Sequence, residues 1–252
     1  MSPRSAGASR GRTAQVRIAG VPVRFRASWF LVSGAIVLLF GPQVQRIFPE
    51  LGVLAYVVAL GYAGLLLLSV LAHELAHALA ARSFGWPATE IELNIWGGHT
   101  EYLAHRATPV KSLAVSLAGP AANLVIAGLG WYFSELFEVT GVTALLVEVT
   151  VLVNFMVGVF NLLPGLPLDG GRIVESVVWG ATGSQDRGMR AAGWGGRVVV
   201  VLLLSGLAAL VISGLREVSL VVVVVAVMVS FFLWQGASEN IRVANARLRR
   251  PS

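Results

Sequence analysis

The sequence has no cysteine and few charged residues. None of the 252 residues is a cysteine, which excludes a disulfide scaffold, a thiol nucleophile, a cysteine-bound zinc ion and an iron–sulfur cluster. Charged side chains make up 13% of the chain, against about 25% in a typical soluble domain. Hydrophobic residues make up 56%, so a soluble globule could not cover its apolar surface, and a disordered chain would leave far too much of it exposed. The composition therefore indicates a membrane protein.

Six apolar stretches are candidates for membrane spans, each of which needs about 20 apolar residues. They cover residues 27–40, 51–81, 110–137, 142–163, 198–212 and 220–234. Between spans two and three, residues 91–95 alternate apolar and polar side chains, which predicts a short strand. We therefore expect an all-α polytopic membrane protein with six transmembrane helices and a short β-containing loop between spans two and three. The predicted domains are a cytoplasmic N-terminal arm (1–24), a six-span domain (25–237) and a cytoplasmic C-terminal tail (238–252).

The positions of the basic residues predict the orientation of these spans. If the N-terminus is cytoplasmic, 17 of the 19 Lys and Arg residues fall in cytoplasmic segments, and only Arg46 and Arg216 fall outside. Cytoplasmic loops of membrane proteins are enriched in Lys and Arg, so we expect both termini to be cytoplasmic. The net charge of +6 does not indicate nucleic-acid binding, because no loop interleaves basic and aromatic residues.

The segment HELAH at residues 73–77, near the end of span two, has the H-E-x-x-H pattern. On a helix, His73 and His77 share one face and can bind the same metal ion. Glu74, next to the first histidine, could then act as a general base toward a metal-bound water. Ionisable side chains in a membrane helix cost about 2.5–3.5 kcal/mol each on insertion scales, and a bound zinc ion would offset that cost.

A catalytic zinc site needs a third protein ligand and one open position. The chain has two aspartates, of which Asp186 lies in a polar loop typical of a solvated surface. Asp169 follows span four, between two prolines and the pair Gly170-Gly171, and we expect an extended loop that turns closely around its carboxylate. Spans two and four both run inward, so Asp169 and the H-E-x-x-H segment should meet at the same membrane face.

Two glutamates remain as alternative third ligands, since a downstream Glu carboxylate on another helix could bind zinc in place of Asp169. They are Glu148 and Glu175. His99 and His105 lie in the polar loop between spans two and three, where we expect them at the surface or in contact with substrate.

Taken together, these motifs resemble the site-2 protease family of intramembrane zinc metalloproteases, over about residues 25–240. The resemblance is carried by residues 73–77, 97–98, 119–123 and 154–172. It implies one zinc ion per chain, bound by His73, His77 and Asp169, with Glu74 as the base. It also implies substrate-binding or auxiliary roles for the residues that match other family positions, namely Asn123, Asn161, Gly97 and Gly98.

The resemblance further implies an intramembrane zinc endopeptidase that cleaves in or near a transmembrane helix of a membrane-tethered substrate. Such a substrate would be a single-pass transcription factor or anti-sigma factor, and the setting a bacterial plasma membrane. The protein could also form a homodimer. A related branch carries a regulatory tail after the last span, and because the chain stops at Ser252 we expect that tail to be absent or truncated.

Two further hypotheses concern function. The alternative to a peptidase is a membrane metal-binding or transport protein that uses the same ligands without hydrolysis. Transport is disfavoured because spans one, five and six are nearly bare of polar residues. For a peptidase, strand addition to residues 91–95 could hold an unwound substrate in an extended conformation.

Overall fold

A computed structural model describes residues 15–95, 97–214 and 218–249 of the chain. Seven α-helices form within these ranges: α1 (Ser28–Ile47), α2 (Leu54–Ser83), α3 (Pro109–Leu136), α4 (Gly141–Asn161), α5 (Asp169–Thr182), α6 (Gln185–Ser213) and α7 (Leu220–Leu248). All except α5 are long and apolar enough to cross a membrane. The prediction of six transmembrane helices is confirmed.

The helices turn large apolar side chains outward. Ile212 is 84% exposed, Leu38 73% and Leu202 66%. Within each helix the backbone polar groups bond internally, so such a surface is stable against hydrocarbon and would be unstable in water. The chain is therefore an integral membrane protein, as the composition indicates.

A four-stranded sheet packs against α2. It consists of β1 (Gln15–Ile18), β2 (Val21–Phe25), β3 (Ala88–Asn94) and β4 (Gly97–Tyr102), in that order across the sheet. The β1–β2 and β3–β4 pairs are antiparallel, and β2 and β3 are parallel. Four strand residues pack on Val70 and Ala78 of α2, namely Val21, Val23, Ile91 and Leu93.

The sheet confirms the predicted β-containing loop and also extends it. The predicted strand at residues 91–95 falls largely in β3, which has β2 on one side and β4 on the other. Strand addition to residues 91–95 is therefore wrong as a hypothesis, because both edges of β3 are already paired. Strands β1 and β2 come from the predicted N-terminal arm (1–24), and residues 1–14 of that arm lie outside the described part of the chain.

On the outer face of the sheet, two ion pairs join β2 and the residue that follows it to β3. Arg26 donates a hydrogen bond to Glu92 at 2.8 Å, and Arg24 pairs with Glu90 at 2.5 Å. The hydrogen bond from Arg26 holds the pKa of Glu92 below its ordinary value. These pairs fasten the N-terminal strands to the β3–β4 hairpin.

Asp169 is the first residue of a helix, whereas the sequence predicts an extended loop around it. Helix α5 begins at Asp169, after a segment that contains the cis peptide bond Leu166–Pro167. Gly170 and Gly171 lie in the first turn of α5, where a Cβ atom would collide with the backbone of residues 162–166. Their lack of a side chain allows this close approach, so the glycines serve packing and not a turn.

Helices α6 and α7 are longer than the apolar stretches predicted for them. Helix α6 begins at Gln185, where the Ser184 side chain caps it by accepting a hydrogen bond from the backbone N–H of Arg187. The predicted span five, starting at residue 198, covers only its apolar part. Helix α7 continues to Leu248, so the predicted domain boundary at 237/238 falls within a helix. The domain division stays a prediction.

Candidate metal centre

The two histidines of the H-E-x-x-H segment and Asp169 converge on one point. His73 and His77 lie one turn apart on α2, and Asp169 reaches them from the first turn of α5. Asp169 Oδ2 lies 2.9 Å from Nε2 of His73 and 3.1 Å from Nε2 of His77. The two Nε2 atoms are 3.1 Å apart. Both imidazoles are buried, and these three residues form a group that could hold a metal ion.

The far side of each imidazole is fixed by a protein acceptor. Nδ1 of His73 lies 2.6 Å from Oδ1 of Asn123, and Nδ1 of His77 lies 2.7 Å from the backbone oxygen of Val115. A carbonyl oxygen only accepts, so Nδ1 of both rings is the donor. Each ring then directs Nε2 toward the other ring and toward Asp169. This arrangement is typical of histidines that bind a metal.

Asn123 is itself held in a buried polar network. Its Nδ2 donates to Asn154 Oδ1 at 2.7 Å and to Ser69 Oγ at 2.9 Å. Asn154 is therefore part of this network, and its own Nδ2 donates to the backbone oxygen of Thr150. Because both amide hydrogens of Asn123 have acceptors, its oxygen is directed at His73. Asn123 thus contacts the metal ligand His73 and orients its ring, without belonging to the group of metal ligands itself.

The arrangement fits a zinc ion. At a separation of 3.1 Å the two Nε2 atoms can share at most one proton, whereas a cation would satisfy both nitrogens and the carboxylate together. Zinc bonds of about 2.0–2.1 Å place ligand atoms about 3.3 Å apart around a tetrahedron, close to the separations of these three atoms. Imidazole and carboxylate are both zinc ligands, so the residue types fit as well.

Gly119 of α3 faces the same three residues. A Cβ atom at position 119 would lie 2.7 Å from Nε2 of His73 and would also collide with the His77 ring. Helix α3 runs unbroken from Pro109 to Leu136, with Gly119 followed by Pro120 in its interior. The glycine therefore leaves room beside the two ligand nitrogens, in the space that an ion would use.

Glu74 is buried beside the metal centre and is held by the sheet. Thr100 of β4 donates through Oγ1 to Glu74 Oε2 at 2.7 Å, and the same oxygen lies 3.0 Å from the Glu74 backbone oxygen. A Cβ atom on Gly98 would lie 2.8 Å from Glu74 Oε1. The edge strand therefore fixes the side chain that the sequence predicts as a base. Thr100 was not among the predicted site residues, because no pattern in the sequence connects it to Glu74.

The remaining residues predicted to have auxiliary roles differ in whether they contact the metal centre or only line the cavity beside it. Gly97 begins β4 with φ +113°, a value that favours glycine, and it lines the same cavity as Glu74. Asn161 also lines this cavity, but its Nδ2 donates to the backbone oxygen of Val157 in its own helix. The structure therefore brings Asn123 and Gly98 into contact with the centre and leaves Asn161 at the cavity wall.

The alternative third ligands lie outside the group around the histidines. Glu175 accepts a hydrogen bond from Gln185 at 2.9 Å, and neither it nor Glu148 belongs to the group that Asp169 completes. Asp186 pairs with Arg247 at 3.6 Å. The side chain of His99 is 51% exposed and lies 3.8 Å from Glu101, and the residue also lines the cavity in front of Glu74, so both the expected surface position and the expected contact with substrate stay open to it.

A cavity of about 810 Å³ opens in front of His73, Glu74, His77 and Asp169. Its other walls are largely apolar and come from α1, α4 and α7; they include Trp29, Val32, Met156, Phe160, Met228 and Leu233. Strand β4 forms one side of the cavity, with Gly97 and Thr100 among its lining residues. The cavity therefore joins a polar centre to an apolar space large enough for several side chains.

Comparison with known proteins matches the chain to a family of peptidases. Residues 61–144 and 134–206 match the model of peptidase family M50. The chain is 38% identical to sll0528 of Synechocystis sp. over 69% of this chain and 46% of that protein. It is 36% identical to Rip3 of Mycobacterium tuberculosis over 65% of this chain and 42% of that protein. The names of these relatives assign both, provisionally, to zinc metalloproteases. The chain thus spans about half the length of the curated relatives it matches.

A solved structure shares the fold. The site-2 protease from Methanocaldococcus jannaschii superposes with a TM-score of 0.61, over 91% of this chain and 95% of that one. The two sequences are 22% identical, so this likeness concerns the fold.

Proposed function

The chain belongs to peptidase family M50, and on this basis we propose that it is an intramembrane zinc endopeptidase. Its substrate would be a membrane-tethered protein, cut in or near a transmembrane helix. The observation that carries the proposal is the position of the H-E-x-x-H segment: two imidazoles, a carboxylate and a buried glutamate line one cavity within a membrane-spanning bundle.

His73, His77 and Asp169 would hold the zinc ion. When bound, zinc supplies Lewis acidity that makes water nucleophilic near neutral pH and polarises a carbonyl group. Asn123 and the Val115 carbonyl keep both rings turned so that Nε2 remains available. Gly119 keeps the space beside these nitrogens open.

Glu74 would act as the general base. It lies next to His73 on α2 and lines the cavity in which a scissile bond would lie. Its carboxylate would take the proton of the attacking water and pass it to the leaving amine. Thr100 would act as a positioning residue, because its hydrogen bond to Oε2 restricts the Glu74 side chain and leaves Oε1 to exchange the proton.

The substrate would bind as an extended segment. A peptide bond within a helix is hydrogen-bonded internally, so the helix must unwind before the carbonyl can reach the centre. In the described part of the chain no strand pairs with the outer edge of β4, and Gly97, Thr100 and their neighbours on β4 line the cavity. Addition of a substrate strand to this edge would hold the segment beside Glu74.

The metal centre would lie toward the cytoplasmic side of a bacterial plasma membrane. His73 is about 15 Å of helix rise from Ser83, the end of α2, which is half the thickness of a hydrocarbon core or less. The excess of Lys and Arg in the segments at that end supports this orientation. A single-pass transcription factor or anti-sigma factor would be a suitable substrate, and a homodimer a suitable assembly.

Cleavage by a Glu74→Gln variant tests the proposal. Wild-type protein in lipid vesicles should cleave a co-reconstituted single-pass substrate in a zinc-dependent manner, and Glu74→Gln should lower the rate by about 10²–10⁴-fold. The variant should still bind one zinc ion per chain. Glu175→Gln, the same change at a glutamate outside the centre, should cleave like the wild type. Zinc-dependent cleavage that survives Glu74→Gln unaltered would refute the assigned role. Zinc uptake into sealed vesicles without any cleavage would favour transport.

A further inference from the structure

Arg197 lies where α6 packs against α7, and no carboxylate in the described part of the chain pairs with it. Its Nη2 donates to Ser238 Oγ at 3.2 Å. No ion pair among the described residues includes Arg197, and its Nε atom is buried without an acceptor. A guanidinium group offers five N–H donors, so most of them have no protein acceptor in the described part of the chain.

Two tryptophans hold this guanidinium group in place. Its Cζ atom lies 4.8 Å from the ring centroid of Trp194 and 5.1 Å from that of Trp234. Contacts of this kind stabilise the positive charge but satisfy none of its N–H donors. Arg197 itself is half-buried, and Trp194 and Trp234 beside it are 53% and 42% exposed, so the cluster lies at the surface of the bundle. We call Arg197, Trp194, Trp234 and Ser238 the Arg197 cluster.

The depth of the Arg197 cluster places it at a membrane interface. The rise from Arg197 to Ser213, the last residue of α6, is about 24 Å. The rise from Leu220, the first residue of α7, to Trp234 is about 21 Å. With a hydrocarbon core of about 30 Å, both values put the cluster near the headgroups on the side away from the α6–α7 connection. Tryptophan is typical of this level.

We propose that the Arg197 cluster binds the phosphate headgroup of an anionic phospholipid. Arginine donates two parallel hydrogen bonds to phosphate oxygens, which matches the donors left over on Arg197. Arg190 is exposed two turns earlier on the same face of α6, so a second cation favours a headgroup with net negative charge. Toward the C-terminal end of α6, Val198 and Val201 are 55% and 54% exposed. They form an apolar surface on which the acyl chains can lie.

Such a lipid would brace the part of the bundle that holds Asp169. Gly196, next to Arg197, packs against the backbone oxygen of Leu166, where a Cβ atom would lie at 2.7 Å. On α7, a Cβ atom at Gly236 would lie 2.9 Å from Pro167. The α6–α7 pair therefore encloses the segment that leads into Asp169. A headgroup that joins Arg197 to this pair should stabilise the segment whether or not the chain cleaves peptides.

Native mass spectrometry of the full chain tests the proposal. Wild-type protein, released from micelles that contain equal amounts of phosphatidylglycerol and phosphatidylcholine, should retain one phosphatidylglycerol. Arg197→Gln should lower the retained fraction by about tenfold, as expected from the loss of a bidentate phosphate contact. Arg249→Gln, which removes one exposed cation at the end of α7, should retain phosphatidylglycerol like the wild type.

Three results would overturn the proposal. The first is equal retention of phosphatidylglycerol by Arg197→Gln and by the wild type. The second, measured on the wild type alone and so independent of the folding of any variant, is equal retention of the two lipids. The third is displacement of phosphatidylglycerol by inorganic phosphate at the same concentration, since this would assign the site to the free anion.

Discussion

Replacement of Gly119 by alanine perturbs the metal centre with a single methyl group. The added Cβ atom would lie 2.7 Å from Nε2 of His73 and from Cε1 of His77. Ordinary contact begins near 3.4 Å, and Nε2 of His77 would lie closer still to the added atom, so the rings or α3 would have to move by at least about 0.7 Å. Zinc–ligand distances tolerate only about ±0.2 Å. The affinity of the chain for zinc should therefore fall by about 10–100-fold, the range found when a residue that orients a zinc ligand is removed.

Competition with a zinc chelator, followed by measurement of protein-bound zinc, gives this affinity for the detergent-solubilised chain. Gly128→Ala is the matched control, because a Cβ atom at this position of the same helix would meet nothing within 4 Å. It should bind zinc like the wild type and gain up to about 1 kcal/mol in helix propensity. Wild-type zinc affinity in Gly119→Ala, with helix content unchanged by circular dichroism, would refute the placement of zinc between the two Nε2 atoms.

Two further predictions concern the sheet. Thr100→Val should lower kcat for peptide cleavage by about tenfold with KM and zinc content unchanged, and Thr100→Ser should restore the rate, because the hydroxyl positions Glu74. Equal rates for Val and Ser at position 100 would contradict this role. The hydrogen bond from Arg26 lowers the pKa of Glu92 in the folded state. The ion pair therefore stabilises the fold at pH values above 4.5, the ordinary pKa of the carboxyl group, and this stabilisation is lost as the pH falls through the lowered pKa. The difference in Tm between wild type and Glu92→Gln should therefore shrink on acidification below about pH 4.5, and a difference that stays constant would contradict it.

The H-E-x-x-H segment and the helices could be predicted because their signals are local. His73 and His77 are one helical turn apart, so their common face follows from the sequence alone. The six apolar stretches likewise predict spans without knowledge of their neighbours. Among the aspartates, Asp169 was the one candidate for the third ligand, since Asp186 lies in a polar segment, but Glu148 and Glu175 stayed open as alternatives until the fold placed them outside the centre.

Strands β1 and β2, which were not predicted, have a local signal in the sequence. Apolar residues alternate along residues 16–18 and again along 21–25, with a turn at Ala19 and Gly20, which have φ of +50° and +76°. This pattern is typical of a hairpin. The parallel pairing of β2 with β3, however, joins residues about seventy positions apart, and no local pattern in either strand specifies it.

Thr100, Gly119 and the helical start at Asp169 could not be predicted from local patterns. Thr100 reaches Glu74 only because β4 packs on α2, and Gly119 lies beside the ligands only because α3 crosses α2 at that point. Gly170 and Gly171 favour a flexible turn by propensity, but close packing against residues 162–166 places them in a helix. In each case tertiary contacts decide the role of the residue.

The zinc content of two variants, Asp169→Ala and Glu175→Ala, tests most directly the claim that Asp169 is the third zinc ligand. Purified wild-type protein and Glu175→Ala should each contain one zinc ion per chain, whereas Asp169→Ala should contain little or none, because Asp169 supplies the third ligand beside His73 and His77. Full zinc content in Asp169→Ala together with its loss in Glu175→Ala would contradict the metal centre described for this chain.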